Sequence, residues 1–111
     1  MVTQLPFDFQ LSDLTQDGNW YNMDLTALVP AGATQVKFQL TYRTANIADR
    51  FMMREKGNFN TWNIASLRPH APNQYRDYIF LVTPNADRFV QYRFVGTDCN
   101  FLRMTVCGWW P

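Results

Sequence analysis

The chain has 111 residues, enough for one domain that buries a core without staples. Aromatic residues make up 16% and charged residues only 17%. That composition excludes a disordered chain, and the shortfall of charge points to surface covered by another subunit. A formal net charge of +1 makes no electrostatic case for nucleic acid, and no apolar run approaches the roughly 18–20 residues of a membrane span.

The opening segment, Met1 to Gln10, has neither a basic region nor a long apolar run, so a soluble protein without a cleaved signal is expected. Residues 1–19 read as an N-terminal arm or edge strand, and 20–111 as the domain proper. Leu5, Phe7, Phe9 and Leu11 alternate with Pro6, Asp8 and Gln10. Such a greasy face must pair at the edge of its own sheet or lie on a neighbour. Pro6 removes a ladder donor and disfavours a central strand. The run Asp13 to Asn19 clusters side-chain oxygens around Gly18, but not at the spacing of an EF-hand; it reads as a turn without metal.

Asp24 to Val29 reads as one helical turn, capped by Asp24 or Thr26 and stopped by Pro30. In 35–44, Val36, Phe38, Leu40 and Tyr42 alternate with Lys37, Gln39, Thr41 and Arg43, the mark of a strand with one buried face. A shorter strand covers 50–55 and ends at the turn Lys56-Gly57-Asn58. Tyr78 to Val82 is continuously apolar and reads as a strand covered on both faces. Thr83 to Asp87 then joins it to a strand at 88–95 as a hairpin. Gly96-Thr97-Asp98 joins that strand to 101–107 in the same way. Short strands with turn punctuation predict an all-β antiparallel sandwich or small barrel.

Reactive groups are sparse. The chain has one Glu (Glu55), one His (His70) and two Ser (Ser12 and Ser66), and Ser66 lies in no nucleophile elbow. No catalytic residue, metal or cofactor is expected. Cys99 and Cys107 lie roughly 26 Å apart if one strand joins them, too far for a disulfide, so two free thiols are predicted. With His70 they would still lack a fourth zinc ligand.

The candidate contact residues are therefore not reactive ones. Of the ten basic residues only Lys37 and Lys56 are Lys, and arginine is the interface cation; Arg50 and Arg54 are assigned to an interface with Leu5, Phe7 and Phe9. Trp20, Tyr21, Trp62, Trp109 and Trp110 are candidates for glycan or partner contact, or for packing at the rim of the core. Extended backbone sends Trp109 and Trp110 to opposite faces, so that one can be core and the other free.

Several segments carry a resemblance. Asp24 to Val36 (DLTALVPAGATQV) is similar to a "DLS-x-x-VP-x-GA-x-x-V" opening. Phe51 to Asn58 matches "F-x-x-R-x-x-G-N". Asn73-Gln74, the aliphatic run Ile79 to Val82, and Val90-Gln91-Tyr92 follow in order. Val106-Cys107-Gly108-Trp109 closes with "V-x-GW". Together, over about residues 20–110, these segments resemble a small jelly-roll module of tailed-bacteriophage virion proteins. The resemblance implies an antiparallel jelly-roll β-sandwich and a non-enzymatic virion structural protein. It would be a decoration, cement or spike-type subunit on the particle surface, bound to capsid or tail subunits and homo-oligomeric, with a trimer favoured. The alternative is a receptor-binding module of a tail tip or fibre that grips a host glycan. In this pattern Pro30 and Gly32 set a sharp entry into the 35–44 strand, Gly57 permits the following turn, and Gly108 permits a close approach beside Trp109.

Overall fold

A computed structural model of the chain describes residues 7–58, 60 and 64–111. Its strands are β1 (Phe9–Gln10), β2 (Tyr21–Asp24), β3 (Gln35–Thr44), β4 (Arg50–Glu55), β5 (Ala65–Leu67), β6 (Arg76–Val82), β7 (Phe89–Val95) and β8 (Cys99–Trp110). They form two four-stranded antiparallel sheets, in the orders β1-β8-β3-β6 and β2-β7-β4-β5. Along the chain only β4 and β5 are neighbours in one sheet; every other connection crosses to the opposite sheet. That connectivity is the jelly roll, an all-β sandwich in which two sheets wind together.

Period-2 patterning explains which residues meet. Val36, Phe38, Leu40 and Tyr42 of β3 are buried, as are Val90, Tyr92 and Phe94 of β7. Phe51 and Met53 of β4 join them between the sheets, with Leu102 and Met104 of β8. Phe51 stacks on Phe80 across the core with ring centroids 6.2 Å apart. The turn after β2 forms as read: Asp24 Oδ1 accepts from the Thr26 amide, and Val29 N–H reaches the Leu25 carbonyl. Gly32 and Gly57 both hold φ near +90°, as their turns require.

Three sequence expectations are corrected. β6 and β7 do not form a hairpin, and neither do β7 and β8; in both cases the loop carries the chain to the other sheet. A short polar loop looks the same whether it closes a hairpin or bridges two sheets, so local turn chemistry could not separate them. β6 is not covered on both faces. Phe80 and Val82 point inward, while Ile79 and Leu81 are 52% and 54% exposed, because no third layer covers the outer face of this sheet. Gly108 makes no close approach: a Cβ there would meet only Lys37 Cβ at 3.9 Å.

The N-terminal segment joins the sandwich from its first described residues. Phe9 and Gln10 pair with Met104 and Arg103 of β8, and Phe9, Leu11 and Leu14 pack on the core. Phe7 does not share a face with Phe9; its ring lies 4.7 Å from the Arg103 guanidinium on the outside of the sheet. The Gln16 side chain bonds both N–H and C=O of Cys99, and Thr15 N–H donates to the Tyr92 hydroxyl.

One end of the sandwich is clamped by a buried carboxylate. Asp49, just before β4, accepts from Thr44 Oγ1 of β3 at 2.8 Å and from the Asp98 amide at 3.1 Å. It thus ties one sheet to the other. Gly96 lies against it with φ +90°, and a Cβ there would stand 1.8 Å from Asp49 Oδ1.

Candidate functional site

The outward-facing residues divide into two surfaces, one per sheet. On the β3–β8–β6 sheet, register sets the rows. Asp77, Thr41 and Arg103 form one row, Ile79, Gln39 and Thr105 the next, then Leu81, Lys37 and Gly108. The rows nearest β1 are polar and partnered. Thr41 Oγ1 donates to Asp77 at 2.6 Å, Arg43 Nε to Asn100 at 2.7 Å, and Arg103 sits against the rings of Phe7 and Phe101. The far rows are apolar only at their β6 ends. Ile79 and Leu81 stand on the free edge, separated from Gly108 of β8 by Lys37 of β3.

A bulge decides the closing tryptophans. Between Lys37 and Phe38 the register with β8 slips, so that Cys107 is the extra residue. Trp109 then pairs with Val36 and Trp110 with Gln35, on opposite faces as extended backbone requires. Neither is core: they are 47% and 48% exposed, because the strand end runs past the packed layer. Cys99 is buried and Cys107 exposed, and both thiols are free. Burial pushes the Cys99 thiol up to about 11. A thiol reagent at pH 8 should therefore titrate one cysteine in the folded chain and two after denaturation; two in the folded state would mean that Cys99 is not enclosed.

The outer face of the β2–β7–β4–β5 sheet is cationic and aromatic. Trp20 covers the Arg54 guanidinium at 3.9 Å, and Arg54 Nε donates to Gln91 Oε1 at 2.9 Å. Gln91 passes the network on to Asn22. Burial, and then the neighbouring Arg93, lower the pKa of Arg54, though a guanidinium remains charged. Arg93 Nε donates to the Gly18 carbonyl at 2.7 Å. Tyr21 turns the other way: it stacks on Tyr92 and donates its hydroxyl to Asp17, which holds that carboxyl below its ordinary range. Trp20 and Tyr21 thus belong to β2 and its entry, a strand the sequence reading did not find.

Beyond β5 the flank of the sandwich opens into a groove of about 590 Å³. It is lined by Arg50, Met52 and Ser66 from one sheet, Arg68 and His70 from the loop after β5, and Arg76 and Tyr78 from β6. The cause is a mismatch of lengths. β5 has three residues and β6 has seven. Arg76 and Tyr78 share the inward parity of Phe80 and Val82, yet β5 is too short to cover them. Of the residues assigned from sequence, Arg50 lines this groove, Arg54 lies under Trp20, and Phe7 and Phe9 belong to the β1 edge. Leu5 and Trp62 lie outside the described residues. The sequence reading missed Arg68 and Arg76, whose only signal was arginine flanking a short loop. Comparisons with family models, curated proteins and solved structures find no match for this chain.

Proposed function

We propose that this chain is a structural subunit of a tailed-bacteriophage particle, a decoration, cement or spike-type protein that self-associates on the virion surface, with a trimer favoured. The sequence resemblance supports the particle, and the jelly roll is the fold that resemblance implies. The observation that carries the assembly role is the free edge of β6. Among the described residues, this seven-residue strand pairs on one side only, with β3. Edge strands that stay monomeric are usually short, charged or bulged. β6 instead presents Ile79 and Leu81 to solvent, with Trp110 near the end of the same face. Burying two such aliphatic side chains contributes about 1.5–3 kcal/mol each, repeated in every copy of the interface.

The test is the mass of the purified chain by light scattering at micromolar concentration, beside Ile79→Asp/Leu81→Asp. The expected result is an oligomer for the natural sequence and a folded monomer for the double variant. A natural-sequence monomer, with no contact between copies on imaged particles, would overturn the proposal.

A further inference from the structure

We infer that the flank groove between β5 and β6 binds an anionic saccharide, a short glycan carrying carboxylate, phosphate or sulfate groups. The inference does not rest on the virion reading, since the groove is complete within one copy of the chain. Its lining holds three guanidinium side chains, Arg50, Arg68 and Arg76, with His70 beside them. No Asp or Glu is among the lining residues. Among the described residues none of the three arginines forms an ion pair; Arg76 has only the face of Tyr78, 5.5 Å from its guanidinium carbon.

Elsewhere on the surface the described arginines are tied down by neutral acceptors or aromatic rings. Arg43 reaches Asn100, Arg93 reaches a carbonyl, Arg88 reaches the carbonyls of Thr26 and Val29, and Arg54 reaches Gln91 under Trp20. Among the described residues, this groove gathers three arginines, none of whose guanidiniums donates a hydrogen bond to an acceptor. An oxyanion seated in the groove would satisfy such planar forks bidentately.

The remaining chemistry narrows the ligand. Met52, Ile64 and Pro69 supply apolar floor, Tyr78 a ring, and Ser66 a hydroxyl, the combination that meets a sugar's apolar face and its polar rim. A volume of about 590 Å³ suits a few sugar rings. A nucleic acid would need a basic track longer than one flank, and the chain's net charge is only +1.

The test is a titration of the 15N-labelled full chain, followed by amide shifts, with a sulfated tetrasaccharide. Inorganic phosphate, a neutral tetrasaccharide and a single-stranded oligonucleotide of equal charge serve as comparisons. Shifts should centre on Ser66, Arg68 and Tyr78, the neutral sugar should not bind, and phosphate should compete weakly. Arg50→Ala/Arg76→Ala should weaken the sulfated sugar at least tenfold, and Arg103→Ala on the other sheet should leave it unchanged. Shift mapping on the natural sequence stands even if the double variant is unstable. Absence of binding at millimolar sugar, shifts centred elsewhere, equal loss in Arg103→Ala, or an oligonucleotide that binds as tightly at the same residues would each overturn the inference.

Discussion

The two outer faces of the sandwich are built on the same backbone and carry opposite chemistry. On the β3–β8–β6 sheet, the edge strand exposes Ile79 and Leu81 while the arginines farther along are bonded or stacked. On the β2–β7–β4–β5 side, the edge strand β5 is short, and beyond it lies a groove whose three arginines form no ion pair among the described residues. The difference lies in how each sheet ends. A long edge strand offers a continuous apolar ledge, suited to another protein surface. A truncated one leaves a concave flank lined by arginines. The two meet along β6, whose outward Ile79 and Leu81 form the ledge and whose Arg76 and Tyr78 line the groove.

The harshest way to break this comparison is to unfasten the sheets from each other. Gly96→Ala puts a methyl group into the Asp49 carboxylate at a left-handed position, and should cost about 3 kcal/mol through lost hydrogen bonds and backbone strain. Denaturant unfolding should show the loss; a midpoint within error of the natural chain would mean that Asp49 does not clamp the sheets. Charging the ledge comes next. Each of Ile79→Asp and Leu81→Asp should weaken self-association by about 2 kcal/mol, near thirtyfold, in sedimentation, while far-ultraviolet circular dichroism stays the same. Trp20→Ala probes the other face. Losing the stack on Arg54 should lower stability by about 1 kcal/mol and leave association unaltered. If Trp20→Ala also dissociates the oligomer, the two faces are not separate in function. The smallest effect is expected between the sheets: among the described residues the buried Tyr42 hydroxyl has no hydrogen-bond partner, so Tyr42→Phe should be neutral or stabilising by up to about 1 kcal/mol in the same unfolding assay. A clear destabilisation would reveal a partner for that hydroxyl.

Sequence alone determined the fold class, and it did so through local periodicity. Val36 to Tyr42 and Val90 to Phe94 alternate strictly because successive side chains on a strand point to opposite faces, so their buried sets could be read directly. The turns at Gly32 and Gly57 were legible because only glycine adopts their positive φ cheaply. The separation of Cys99 from Cys107 followed from strand rise along β8. Tertiary structure decided what local pattern cannot encode. Whether Thr83 to Asp87 closes a hairpin or bridges two sheets depends on which distant strand β6 and β7 each find, and β6 found β3. The apolar run Ile79 to Val82 has the composition of an interior strand, yet among the described strands it lies at the edge, paired with β3. The groove is the extreme case. Arg50, Arg68 and Arg76 are scattered over three elements, and only the length difference between β5 and β6, at neighbouring edges of opposite sheets, brings their charges together.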